Sequence, residues 1–159
     1  MKLQKGSISF VSDAPLEIIS ASTRTFKAIY EPNKKQFAVT ILMNTFVGFN
    51  GDLQTDHYNE NYLETQKYPE AKFVGKIIEP LDCLTKGRYT VRAKGKFTLH
   101  GITQDKTILC IVQVLNENEI IINADFELNL AEYNISIPKI VNKKIAENIK
   151  VKFNATLKS

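Results

Sequence analysis

The chain has only two histidines, His57 and His100, and His57 opens its densest run of reactive chemistry, "HYNENYLETQKYPEAKF". Imidazole, amide and phenol groups all donate and accept hydrogen bonds, so His57, Asn61 and Tyr62 suit the polar head of a ligand. With an oriented partner, an imidazole is also a general base. No nucleophile or triad motif accompanies it, so catalysis by His57 as acid or base on a small apolar substrate stands as the alternative reading. Asp52, Asp56, Glu60 and Glu64 recur every fourth residue, which puts four carboxylates on one helical stripe. The calcium-loop pattern is absent, so the stripe reads as a solvated face and no metal or other cofactor is expected. Cys83 and Cys110 form no C-x-x-C pair, and Cys110 reads as a small buried hydrophobe.

The elements that must position these groups are strands. Period-two alternation puts Ile8 and Phe10 on one face of "GSISFVS", and Phe26, Ala28 and Tyr30 on one face of "STRTFKAIYE". It does the same for Phe37, Val39 and Ile41, then for Ala71, Phe73, Gly75 and Ile77. The longest run, "GRYTVRAKGKFTL", sets Tyr89, Val91, Ala93, Phe97 and Leu99 against Arg88, Arg92, Lys94 and Lys96. The stretches "TILCIVQVL" and "EIIINADFELNL" are apolar enough to predict cover on both faces, and "IKVKFNATLK" turns Val151, Phe153, Ala155 and Leu157 inward. Turns at Lys86-Gly87, from His100-Gly101 to Asp105, and at Asn116-Glu117-Asn118 are short enough to make neighbours antiparallel. At least eight such strands predict an all-β sandwich or barrel, and mid-strand Gly75 and Gly95 favour a strongly bent sheet closing on itself. The one interruption, "NGDLQTDHYNENYLE", predicts a short helix capped by Asn50 or Asp52, its apolar face covering the sheet. Whether the inward face is solid or hollow stays open at this level, because a small barrel can do either.

The chain of 159 residues has no linker or repeat, so residues 1–159 read as a single domain. With 43% hydrophobic and 24% charged residues it is an ordinary globular composition, not a disordered one. A net charge of +4 is too small an excess to argue for nucleic acid. A nucleic-acid-binding barrel, the third reading, would also set aromatics among lysines on the outer face, and here most share the apolar face. No apolar run is long enough for a membrane span. The opening "MKLQKGSISF" lacks the apolar stretch of a signal peptide.

Three segments resemble the YceI-like family, the lipocalin-like polyisoprenoid-binding proteins. The first is "HYNENYLETQKYPEAKF", which matches a histidine-bearing helix followed by Y-P-x-A-x-F. The second is "GKFTLHGITQDKTI", similar to the family hairpin G-x-L-x-x-H-G-V-T. The third is "AEYNISIPKIVNKKIAENIKV", with Glu132 where aspartate is usual. The resemblance extends to "PLE" after the first strand. One departure is that longer members carry an Arg-Asp pair just before the helix histidine, where this chain has "QTDH".

The resemblance implies an eight-stranded antiparallel lipocalin-like barrel with a short helix covering one end. It implies an apolar cavity for an isoprenoid lipid, either a prenyl quinone or a polyprenyl phosphate, and a bacterial periplasmic or secreted protein, its signal peptide absent from this sequence. A homodimer is a further expectation, as is contact with a membrane surface through Lys139, Lys143, Lys144, Lys150, Lys152 and Lys158. Combined with the alternation, the hollow reading assigns the cavity wall to Phe10, Phe26, Phe37, Val39, Ile41, Phe73 and Tyr89. Val91, Ala93, Phe97, Ile122, Phe126, Val151 and Phe153 complete it. His57, Asn61 and Tyr62 are expected at the ligand head or end wall, with His100 as a further candidate.

Overall fold

The computed structural model describes residues 1–159. Nine strand segments run β1 (Lys2–Asp13), β2 (Ile18–Thr23), β3 (Phe26–Glu31), β4 (Gln36–Leu42), β5 (Glu70–Ile77), β6 (Gly87–Leu99), β7 (Ile102–Asn116), β8 (Glu119–Asn129) and β9 (Asn148–Lys158). Every pairing is antiparallel, and β9 returns to pair with β1 from Lys2 to Val11. The barrel therefore has eight walls, because β2 and β3 are one strand broken at Arg24–Thr25. Both keep the same register on β1, with Ile8 opposite Thr23 and Lys2 opposite Ile29. Closure removes every free sheet edge along the walls.

The alternation fixes which side chains face in. Along β6, Val91, Ala93, Phe97 and Leu99 are buried while Arg92, Lys94 and Lys96 are exposed. Lys96 answers Asp105 across the β6–β7 pair at 2.5 Å, on the solvent face. The two mid-strand glycines mark a close approach of neighbouring strands. Gly75 and Gly95 stand opposite each other, and a Cβ on either would fall within 2.1 Å of the neighbouring strand's backbone. Only glycine lets β5 and β6 approach this closely.

Three expectations need correction. The outer faces of β7 and β8 are not covered: Leu109 is exposed, and Ile111 and Ile121 are half-buried. Their apolar character reflects strand propensity rather than a second packing layer. The β6–β7 turn is shorter than its polar residues suggest, since only His100 and Gly101 connect the strands, both at positive φ (53° and 72°). That conformation matches the right-handed twist of the flanking strands, so the hairpin can start at Ile102. Finally, no side chain caps the helix α1 (Asp52–His57): its N-cap is Gly51 at φ 105°. The Asn50 side chain is committed elsewhere, and α1 continues as a π-helical turn over Tyr58–Tyr62.

The two barrel ends differ. At one, the β3–β4 and β7–β8 hairpins and the 78–86 loop close over densely packed side chains. At the other, α1, the π turn and the 130–147 segment lie around an opening.

Candidate functional site

The barrel encloses a cavity of about 530 Å³. Its wall comes from inward positions of nearly every strand, including Ile8, Phe37, Val39, Phe73, Ala93 and Ile122. Of 45 lining residues 39 are hydrophobic, and the polar remainder are Ser12, Glu17, Asn50, Gln54, His57 and Lys144. All six belong to the open end. Ser12 is at the last turn of β1, where its hydroxyl accepts from the Ala146 N–H at 2.8 Å. The cavity is thus a hydrocarbon-lined chamber with a polar mouth, the arrangement that orients an amphipathic molecule.

An aromatic cluster roofs part of the opening. Tyr58 packs on Phe49 with ring centres 4.8 Å apart and stacks on Phe10 at 5.9 Å, and Phe46 lies against both Phe10 and Tyr58. The Tyr58 hydroxyl donates to the Met43 carbonyl at 2.9 Å, so a buried phenol is satisfied without facing the chamber. Burial drives its pKa strongly upward. Leu53, His57, Tyr58 and Tyr62 all line the cavity, so the helical face read from spacing is the one turned inward. The Gln54 side-chain Oε1 accepts from the Asn50 N–H at 2.8 Å, which ties the start of α1 to its own first turn.

Across the mouth, Glu17 accepts from Gln54 Nε2 at 2.6 Å and from Asn50 Nδ2 at 3.1 Å. The Asn50 bond, then the Gln54 bond, and to a smaller degree the Lys144 charge, hold the Glu17 carboxyl below its ordinary value. The β1–β2 loop is bound to the 130–147 segment by the Leu16 N–H donating to the Lys143 carbonyl at 2.8 Å. Three segments distant in sequence therefore meet as one rim.

Most of the expected wall residues meet at this chamber: Phe10, Phe37, Val39, Ile41, Phe73, Ala93, Phe97, Ile122, Phe126, Val151 and Phe153 all line it. Three do not. The Phe26 ring lies over Gly6, where a Cβ would come within 2.9 Å of it, and against Phe153 at 5.7 Å, so it fills wall rather than bordering space. Val91 is fully buried without bordering the chamber, although Cys110 opposite it does. Tyr89 is half-buried, its hydroxyl donating to the Thr85 carbonyl at 3.0 Å. Position on the inward face was read correctly for these residues; which inward side chains meet the void was not.

The polar candidates also separate. His57 and Tyr62 border the cavity, while Asn61 is exposed on the outside of the π turn. His100 is at the open end but away from the chamber. Its Nδ1 meets the Tyr133 carbonyl at 2.9 Å and its Nε2 meets the Glu64 carboxylate at 2.5 Å, with the Tyr68 ring edge-on at 4.8 Å. Glu64 reaches it by leaving the helical stripe at φ 48°, so it is not a fourth member of a solvated row. His100 is a strut that joins the β6–β7 hairpin to the segments on either side of the mouth. Sequence reasoning did not single out Ser12, Glu17, Gln54, Phe46 or Phe49. Their role depends on contacts such as Glu17 to Gln54, 37 residues apart, which no local spacing reports.

A closed antiparallel barrel with an apolar chamber, its charged and amide lining residues all at the mouth, is a lipocalin-like barrel. Within that class the chain belongs to the YceI-like family, whose domain matches residues 4–157. Solved structures agree on the fold. A polyisoprenoid binding domain from Saccharophagus degradans, implicated in plant cell wall breakdown, superposes with a TM-score of 0.84 at 16% identity, covering 99% of this chain and 97% of its own. BcnA of Burkholderia cenocepacia gives 0.76 at 19% identity and covers 95% of each chain. The YceI protein of Campylobacter jejuni gives 0.67 at 12%, covering 89% and 85%. No curated protein sequence matches the chain.

Proposed function

We propose that the protein binds an amphipathic isoprenoid lipid, tail inward, as a carrier or store rather than as an enzyme. The observation that carries this reading is the segregation of polarity: every polar lining residue is at the mouth, and the chamber behind it is hydrocarbon and aromatic. Each buried methylene contributes about 0.8 kcal/mol, so a single five-carbon unit supplies several kcal/mol before ordering costs. The family and the polyisoprenoid binding domain among its structural neighbours favour a branched unsaturated tail over other chains. At the mouth, His57 and Lys144 offer donors to a quinone carbonyl or a phosphate, while the Glu17 carboxylate disfavours a doubly charged head beside it.

Catalysis is the weaker reading. His57 is exposed at the rim and makes no hydrogen bond that would orient its ring. Both cysteines are free and buried, which keeps the thiols inert in the periplasmic or extracellular setting proposed here. Contact with a membrane surface is part of the proposal. It is supported by Leu16, Ile18, Val47, Leu53 and Ile140, which are exposed around the mouth beside Lys139 and Lys143. A homodimer is also part of the proposal, through the uncovered apolar face around Leu109.

The test is equilibrium binding of a short-tailed prenyl quinone against the same quinone ring without a tail. The proposal expects the tail to tighten binding by at least about a hundredfold. Equal affinity for both would contradict it.

A further inference from the structure

The chamber runs almost to the closed end of the barrel, where a layer of side chains stops it. Val112, Ile120 and Leu157 form its floor, each no more than 2% exposed, and Val91 and Val114 fill the space around them. Ile120 pairs with both Val114 and Leu157, so the floor is a continuous layer across β7, β8 and β9. Tyr30 and Leu81 complete it from the far wall. The Tyr30 hydroxyl, buried without a partner, is the one oxygen this layer carries, and no charged side chain lines the deep end.

Resting on the proposed function, we infer that the cavity acts as a ruler for prenyl chains and holds only about three to four isoprene units. A group the size of water takes roughly 30 Å³ of condensed volume. The cavity of about 530 Å³ thus accommodates roughly eighteen carbon atoms, against the forty of an eight-unit tail. The tail enters hydrocarbon end first, because the polar residues are confined to the rim. Carbons beyond the limit stay outside the mouth and add nothing to the burial that drives binding.

The experiment is a length series of prenyl alcohols with two, three, four and eight units, measured by displacement of a fluorescent apolar reporter. Affinity should rise at least about tenfold from two units to three, since each buried methylene is worth up to about fourfold. It should level off by four units, with the eight-unit alcohol within about threefold of the four-unit one. Ile120→Ala lowers the floor and should move the plateau to longer chains. Cys110→Phe, from the lower wall, should move it to shorter ones. Should Ile120→Ala fail to fold, Cys110→Phe and the native series still decide the matter. An eight-unit alcohol binding more than tenfold tighter than a four-unit one would overturn the length limit and leave lipid binding standing. No binding at any length would overturn the proposed function, and the ruler with it.

Discussion

The two ends of this barrel are written in the same code and packed in opposite ways. At the closed end, Val114, Ile120 and Leu157 are buried in one layer across β7, β8 and β9. Toward the open end, Ala93 and Ala124 alternate with Phe97 and Phe126, and the axis is empty. Both ends obey strict inward and outward alternation. The difference lies in side-chain volume summed across strands that are far apart in sequence. Close packing at one end supplies cooperativity to a wall that must stand unfilled at the other.

The comparison breaks most sharply with a bulky insertion. Val114→Trp, in the packed layer beside Ile120, is expected to destabilise by at least about 3 kcal/mol and to abolish cooperative folding if the barrel cannot open. Ala93→Trp, which projects into the chamber, should cost less than about 1 kcal/mol yet weaken lipid binding at least tenfold. Urea titration and ligand displacement on the same samples separate the two. A large stability loss at Ala93 would mean that the chamber is packed solid.

Truncation sharpens the same contrast more gently. Ile120→Ala should cost about 2–5 kcal/mol, because it opens a hole beside closely packed neighbours. Ile122→Ala, one inward position further along β8 and already beside empty space, should cost under about 2 kcal/mol, mostly the lost transfer term. Equal losses in chemical denaturation would erase the distinction between the ends.

Smaller effects come from polar groups. His100→Gln should remove the contact to Glu64 and cost about 1–2 kcal/mol, with faster amide exchange in residues 64–68, the loop it tethers. Lipid affinity should change little, since His100 does not line the chamber. Alkaline pH tests burial at both levels of the barrel. Burial, with a smaller push from nearby Cys83, raises the Tyr30 phenol from 10.0 to about 12. Burial raises the Cys110 thiol from 9.0 to about 11. Below pH 9 both groups are protonated in folded and unfolded chains alike. Above it the unfolded chain releases protons that the folded chain retains, so stability falls as pH rises past about 9 and continues to fall toward 11 and 12. Melting temperatures measured between pH 8 and 11 should decline, and Cys110→Ala should shift the onset upward. A flat profile would mean that these groups are not buried as described.

Much of this was legible in the chain. Period-two alternation named the inward faces of β1, β3 to β6 and β9, and mid-strand Gly75 and Gly95 marked where two strands approach most closely. The helix face that lines the mouth followed from the spacing of Leu53, His57 and Tyr62. What stayed hidden is what depends on distance. Phe26, Tyr89 and Val91 point inward as read, but whether an inward residue meets a void is set by neighbours three strands away. The Glu17, Asn50 and Gln54 rim joins segments with no shared local pattern. His100 looked like a ligand residue because its partners, Glu64 and the Tyr133 carbonyl, come from separate loops. The apolar outer face of β7 and β8 looked covered because strand propensity and burial select the same residues.

The central claim is that the chamber holds an isoprenoid tail. It is tested most directly by mass spectrometry of the organic extract of protein purified from bacterial cells without detergent. The account predicts a prenyl lipid near one equivalent per chain in the native protein and a much smaller amount in Ala93→Trp. An extract free of prenyl lipid, or one in which Ala93→Trp retains as much as the native chain, would contradict it.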